Sequence, residues 1–301
     1  MAEVGNIAWV ATDWGTSHLR LWLMRADGYV LDERRSSRGM GTLGPNEYEP
    51  VLLALLSDVL PATGALSVLC CGMAGSRQGW AEVPYCKAPC APPSIEQAMR
   101  VTTHDPRIRV YILPGICQDT PPDVMRGEET QIAGVLARTP GFDGIVCLPG
   151  THTKWVHLSA AEVVSFRTFM TGEIYALLKD RSVLRHAMPG EGWDDAAFEV
   201  AVQDAMARPA AVGAELFAIR AASLLAGMRA DAARARLSGL LIGIELAAAR
   251  PYWLGQDVRI IGETGIASAY FRALRAQGVA ARALPADEMT RSGLIACSNL
   301  I

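Results

Sequence analysis

The feature that most constrains this chain is a turn that occurs twice. Residues 7–13 are a short apolar run ending in the carboxylate of Asp13, Gly15-Thr16-Ser17 then turns the chain, and Leu19, Leu21 and Leu23 alternate with His18, Arg20 and Trp22. A period of two predicts a β-hairpin. Asp27-Gly28 supplies a second turn, and residues 29–34 return as the third strand of a meander. At an offset of 135 residues the pattern comes back: an apolar strand over 144–148, Gly150-Thr151, a strand over 154–158 and another over 162–166. Two hairpins with one turn chemistry imply two halves of related architecture facing each other. The competing reading is coincidence, since two identical residues are cheap.

Length supports the two-part reading. A chain of 301 residues suits about two domains, each large enough to bury a core. Its 28 basic residues against 31 acidic ones, without a basic run, exclude nucleic acid or an anionic membrane as the main partner. No stretch of about 18 apolar residues occurs, and the start Met1-Ala2-Glu3-Val4 lacks a basic segment leading into an apolar one, so a cytoplasmic protein is expected. Seven cysteines, an odd number, read as reduced thiols. Adjacent Cys70 and Cys71 point to opposite sides of one strand, which disfavours a zinc site with Cys86 and Cys90.

Between and after the hairpins the periodicity changes. Residues 47–60 and 128–137 read as helices, and 67–71 and 109–113 as buried strands. The second half continues with helices over 172–179, 196–205, 237–249 (interrupted by Gly239 and Gly243), 266–276 and 287–299, and a strand over 258–261. A further helix carries Phe217, Ala221, Leu224, Leu225 and Met228 on one stripe, expected to be core. Ser292, Gly293 and Ala296 offer a small-residue face on the last helix.

Four places can carry chemistry. Asp13-Trp14-Gly15-Thr16-Ser17 aims backbone amides and hydroxyls at one spot beside a carboxylate, an arrangement that binds phosphate oxygens and holds Mg²⁺ through water. An Asp before a hairpin Gly is also an ordinary turn former. Leu148-Pro149-Gly150-Thr151-His152-Thr153-Lys154 can grip phosphates from the other half, with Lys154 as a charge partner. Gly262-Glu263-Thr264-Gly265, between strand and helix, allows close approach of a ligand or is a plain connection, and it is not a dinucleotide fingerprint. Arg126-Gly127-Glu128-Glu129 puts two carboxylates at a helix start, where the helix dipole favours them and where one can act as a general base. Adjacent helical residues diverge by about 100°, so one of the pair faces the substrate.

These residues, with Cys71-Gly72-Met73-Ala74-Gly75-Ser76-Arg77-Gln78-Gly79-Trp80 and Thr168-Phe169-Met170-Thr171-Gly172-Glu173, resemble the 2-dehydro-3-deoxygalactonokinase family of the actin, hexokinase and heat-shock-chaperone superfold. The resemblance implies an α/β chain of two related ribonuclease H-like domains, each a mixed sheet plus helices, with an interdomain cleft. Residues 1–140 would take the acceptor sugar, 141–286 the nucleotide, and 287–301 would form a closing helix at the interface. It implies transfer of the ATP γ-phosphoryl group to the 6-hydroxyl of 2-dehydro-3-deoxygalactonate in galactonate breakdown, with ATP and Mg²⁺ as cofactors. By the same resemblance Asp13 organises Mg²⁺, and Gly15, Thr16, Ser17, Gly150, Thr151, Thr153 and Lys154 hold phosphates. Gly262 borders the adenosine, and Glu129 is the base by analogy with the second Glu of exopolyphosphatases. Many superfold members carry an acidic residue just before the second phosphate loop, where this chain has Leu148-Pro149.

An anionic sugar acid calls for an Arg fork at its carboxylate. Arg77 and Arg126 are the candidates, each with a fold-bracing alternative, Arg20 is a weaker one, and Gln78, Met40 and the pocket-wall residue Trp80 complete the expected acceptor side. The partners expected are therefore a small sugar acid and ATP, with a homo-oligomer left open. A polyphosphate or nucleotide phosphohydrolase of the same fold shares the Glu-Glu feature and is separated from a kinase by acceptor dependence.

Overall fold

The computed structural model describes residues 6–299, so the Met1-Ala2-Glu3-Val4 start lies outside it. In the first half, β1 (Trp9–Trp14), β2 (Leu19–Met24) and β3 (Val30–Ser36) form the expected antiparallel meander. The β1–β2 register runs from Trp9 opposite Met24 to Trp14 opposite Leu19, which leaves residues 15–18 as the loop. Helix α1 (Tyr48–Leu56) follows, then β4 (Leu66–Gly72), β5 (Cys86–Lys87), β6 (Met99–Val101), β7 (Ile108–Ile112), β8 (Ile116–Asp119), β9 (Pro122–Met125) and α2 (Glu128–Arg138). The main sheet has the order β3-β2-β1-β4-β7-β6, with β4 parallel to β1 and β7 parallel to β4. A small sheet, β5-β8-β9, leads into α2.

Alternation decides the two faces of the main sheet. Val10, Trp14, Leu19, Leu21 and Leu23 join Tyr48, Leu52 and Leu56 of α1 in one core cluster. Trp9, Ala11, Trp22 and Met24 join Ala133 of α2 and Leu294 near the chain's end in another. Cys70 falls in the first cluster and Cys71 in the second, as neighbours on a strand must.

In the second half, β10 (Gly144–Leu148), β11 (Thr153–Ser159) and β12 (Glu162–Phe169) repeat the meander. Pairs from Gly144 opposite Leu158 to Leu148 opposite Lys154 leave residues 149–152 as the loop, the same length as 15–18. Helices α3 (Thr171–Arg181), α4 (Asp195–Ala207), α5 (Val212–Leu225), α6 (Ala230–Ala248) and α7 (Arg250–Trp253) precede β13 (Val258–Gly262), α8 (Thr264–Ala276), β14 (Arg282–Pro285) and α9 (Ala286–Ser298). The sheet order is β12-β11-β10-β13-β14, with β13 parallel to β10 and β14 parallel to β13. This is the order β3-β2-β1-β4-β7 over again, so the repeated Gly-Thr turn marks a duplicated ribonuclease H-like sheet and coincidence is rejected.

The chain is built as two compact units. One runs through Phe142 and adds Ser159–Ser165 and the chain from Ala286 onward; the other comprises Asp143–Leu158 and Phe166–Pro285. Within the first, α9 crosses α2 at two glycines: a Cβ at Gly134 would collide with the Met289 carbonyl, and one at Gly293 with the Thr130 carbonyl. The small-residue face of the last helix thus has a use at Gly293.

Two helix expectations are corrected. Phe217, Leu224 and Leu225 are 64%, 65% and 88% exposed, so the stripe expected as core is mostly surface. Helix α5 buries Val212 and Ile219 instead, with Leu216 partly buried between them. Both stripes are apolar, and the elements around the helix choose between them. Nor do Gly239 and Gly243 interrupt α6, which is continuous. They let α4 approach, since a Cβ at Gly239 would lie 2.5 Å from the Phe198 carbonyl oxygen and one at Gly243 2.8 Å from that of Val202.

Candidate active site

The first unit builds a site around the β1–β2 turn. Gly15 N–H donates to the His18 carbonyl at 2.9 Å and closes it, leaving the Thr16 and Ser17 side chains exposed at its tip. The loop after β3 braces it from behind: Met40 N–H donates to the Gly15 carbonyl (3.0 Å) and Gly41 N–H to the Thr16 carbonyl (2.8 Å). Gly39 is required there, because any Cβ would run into the backbone of Thr16, Ser17 and His18. Met40 is thus held against the turn. Asp13, at the end of β1, is half-buried and accepts from Arg20 Nη2 at 2.6 Å, while Arg20 also reaches Asp287 at the start of α9.

The family-like block after β4 closes over this turn. A Cβ at Gly72, which has φ of 86°, would stand 2.7 Å from the Trp14 carbonyl oxygen and 3.3 Å from Asp13 Oδ1. Only glycine takes that conformation and that proximity readily. Arg77 and Gln78 are exposed on the loop beyond, whereas Trp80 folds back, stacked on Tyr48 at 5.8 Å and edge-on to Trp14 at 5.9 Å. Trp80 also lines a groove of about 650 Å³ with Leu53 and Met99.

Gly127 brings the helix start of α2 to the same place, 3.5 Å from the Gly72 Cα when measured from its own ideal Cβ. Both oxygens of Glu129 accept from Gly127 N–H, at 2.8 and 2.7 Å, and Glu128 accepts from Arg126 N–H at 3.0 Å. Glu129 is fully buried and Glu128 half-buried. Burial first, and the adjacent Glu128 charge second, push the Glu129 carboxyl up to about 8. Arg126 lies over the Tyr85 ring at 4.3 Å and donates through Nη2 to the Val83 carbonyl at 2.8 Å. Its Nε and Nη1 are buried with no partner, as is the Ser76 hydroxyl. A buried, charged donor left without an acceptor costs more than a neutral one, which is about 1 to 3 kcal/mol.

The second unit holds a matching turn. Gly150 is half-buried and Thr151 exposed, while Thr153 and Lys154 are buried. The Thr153 hydroxyl is turned inward, 2.9 Å from the Tyr270 hydroxyl. The start of α3 lies directly on the turn: a Cβ at Gly172 would collide with the Gly150 carbonyl, Glu173 N–H donates to the Thr151 carbonyl (2.9 Å), and Glu173 pairs with His152 at 2.6 Å. Gly262 comes against the other side, its ideal Cβ 3.5 Å from the Pro149 carbonyl oxygen. Beside these lies a cavity of about 580 Å³ lined by Thr171, Gly172, Trp193, Gly265, Tyr270 and Arg272 among others. Apart from the Gly262 loop and the 168–173 block, this cavity was not legible in the sequence, because its lining is gathered from α3, α4, α6 and α8, which share no motif.

Comparison with known proteins agrees over nearly the whole chain. Residues 13–297 match the family model of 2-keto-3-deoxy-galactonokinase. A Rhizobium meliloti (strain 1021) protein named probable 2-dehydro-3-deoxygalactonokinase is 43% identical, covering 97% of each chain. The Escherichia coli (strain K12) 2-dehydro-3-deoxygalactonokinase is 31% identical, covering 97% of this chain and 98% of that one. A crystal structure from Sinorhizobium meliloti named for the same activity superposes with a TM-score of 0.90 at 42% identity, covering 96% of this chain and 97% of its own.

Proposed function

Since this chain belongs to the 2-keto-3-deoxy-galactonokinase family and is a carbohydrate kinase, we propose that it phosphorylates the 6-hydroxyl of 2-dehydro-3-deoxygalactonate with ATP, as a step in galactonate catabolism. The observation that carries the acid part of this reading is the buried Arg126 guanidinium with two unpartnered nitrogens. A carboxylate is an acceptor that a charged guanidinium donor binds strongly. Arg126 binds the acceptor carboxylate, with exposed Arg77 and Gln78 at the entrance and Trp80 and Met40 as walls.

The Gly15-Thr16-Ser17 and Gly150-Thr151 turns hold the nucleotide phosphates through backbone N–H groups and the exposed hydroxyls. Buried Thr153 and Lys154 support the second turn from below. Gly262 and the cavity beside it receive the adenosine. For Mg²⁺ the donor set fits a nucleotide-borne ion: among the described residues no three His, Cys, Asp or Glu side chains gather, and Asp13 alone offers a half-buried carboxylate at the turn. Magnesium commonly keeps several waters and takes one or two protein carboxylates plus phosphates. When bound, the ion neutralises charge on the transferring group.

Phosphoryl transfer through a loose transition state needs mainly alignment plus late removal of the hydroxyl proton. Glu129 is the residue proposed to take it, its carboxyl tuned near working pH by burial, which is the condition for an efficient base. The deciding experiment is ADP release from Mg²⁺-ATP across 2-keto-3-deoxy sugar acids. Release that depends on 2-dehydro-3-deoxygalactonate, with the product identified as the 6-phosphate, supports the reading. Release as fast with water alone indicates a phosphohydrolase. No helix of the described residues is long and apolar enough to cross a membrane.

A further inference from the structure

One buried carboxylate in the second unit has no part in the chemistry described so far. Glu245, in the last turn of α6, is 2% exposed and accepts three side-chain hydrogen bonds from three different elements. Trp155 Nε1 of β11 donates to Oε1 at 2.8 Å, the Thr171 hydroxyl at the start of α3 donates to Oε2, and the Tyr270 hydroxyl of α8 donates to Oε2 at 2.7 Å. The Tyr270 hydroxyl has a single proton, and it is spent on Glu245. Tyr270 must then accept from the Thr153 hydroxyl 2.9 Å away, so one carboxylate sets the direction of the whole chain of bonds.

The ends of this network surround the second Gly-Thr turn. Thr153 is the first residue of β11 after the turn, and Thr171 precedes Gly172, whose backbone lies against the Gly150 carbonyl. Tyr270, Thr171 and Gly172 also line the cavity of about 580 Å³. A buried carboxylate contributes little net stability compared with apolar packing of the same volume. Its three hydrogen bonds oppose the effect of burial, which raises the carboxyl to about 7. The neighbouring titratable groups, Cys147 of β10 and Tyr270, are themselves pushed well above their ordinary values and stay neutral.

We propose that Glu245 is a positioning residue for the nucleotide, holding the start of α3 and the Thr153 end of the second turn in the geometry that receives the phosphates. It touches neither substrate and acts through Thr171, Tyr270 and Trp155. The inference rests on the reading that the second unit takes ATP.

Glu245→Gln places an amide donor among hydroxyls that themselves need to donate. Thr171→Val removes one arm, and Thr171→Ser restores it. Each variant is checked for a cooperative thermal transition and titrated with the non-hydrolysable analogue AMPPNP plus Mg²⁺ by calorimetry, without sugar acid. KM is then measured separately for ATP and for the sugar acid. Glu245→Gln and Thr171→Val are expected to weaken AMPPNP binding and raise KM for ATP about 10-fold or more, with KM for the sugar acid within twofold, and Thr171→Ser is expected to bind as the parent does. AMPPNP affinity within twofold of the parent in folded Glu245→Gln overturns the inference, as does an equal rise in both KM values. Should Glu245→Gln fail to fold, the Thr171 pair decides by the same criteria. A parent protein that binds no AMPPNP defeats the nucleotide reading itself, whereas parent binding with unchanged variants defeats only the role of Glu245.

Discussion

Glu129→Gln tests the base and its environment together. In the folded protein the carboxyl is fully buried and sits at about 8, against an ordinary value of 4.5. Because the folded value lies above the unfolded one, the neutral carboxyl's contribution to stability is fully present below about 4.5 and is lost as pH rises through 8. At about 1.4 kcal/mol for each pH unit, the gap between 4.5 and 8 corresponds to about 5 kcal/mol. Glutamine has no proton to lose, so the variant escapes this loss. Urea denaturation at pH 5, 7 and 9 is expected to show the variant gaining on the parent protein steadily, by up to about 5 kcal/mol at the alkaline end. Activity moves the other way: kcat falls by on the order of 10²-fold with little change in KM, and the parent's rise in kcat towards pH 8 disappears. Glu128→Gln, which removes the neighbouring charge, is expected to be milder and to shift that rise to lower pH. A stability difference that stays constant within about 1 kcal/mol from pH 5 to 9 refutes the burial argument. Activity of Glu129→Gln within threefold of the parent refutes the base, and a greater loss in Glu128→Gln transfers the role by one residue.

Asp13→Asn keeps the shape of the turn but removes the charge offered to Mg²⁺, so turnover is expected to vanish with the fold intact; near-normal kcat at saturating Mg²⁺ would refute it. Arg126→Ala is expected to raise KM for the sugar acid by the equivalent of about 2 to 4 kcal/mol while leaving KM for ATP nearly unchanged, with a smaller effect from exposed Arg77→Ala; an effect confined to ATP reassigns both arginines. Gly293→Ala forces apart α9 and α2 where the Thr130 carbonyl touches the helix, and a loss of about 1 to 3 kcal/mol in chemical denaturation is expected; a neutral result would mean the crossing relaxes without cost.

Much of the fold was legible because it is written in short-range patterns. The alternation after Gly15 set the hairpin, the repeat at Gly150 set the second one, and the matching strand orders show that both belong to one duplicated design. The family-like blocks were also legible as sequence, but their use was not. Gly72 and Gly172 are explained only by the carbonyls of Trp14 and Gly150 that they touch, residues far away along the chain. The Phe217 and Leu224 stripe misled for the same reason, since period alone shows that a face is apolar and leaves open whether anything covers it.

The sequence by itself determined the two hairpins, the turn chemistry and the family, because each depends on neighbours within a few residues or on ordered blocks, whereas the small sheet of β5, β8 and β9 and the duplication were decided by the strand orders. Tertiary structure alone decided which groups lose their water. It buried Glu129 and left Glu128 half-open, left two nitrogens of Arg126 without partners while exposing Arg77, turned Thr153 away from solvent, and gathered three donors around Glu245. Burial and partnership depend on contacts between segments that are distant in sequence, and they set the energy of a charge or a proton at each of these side chains.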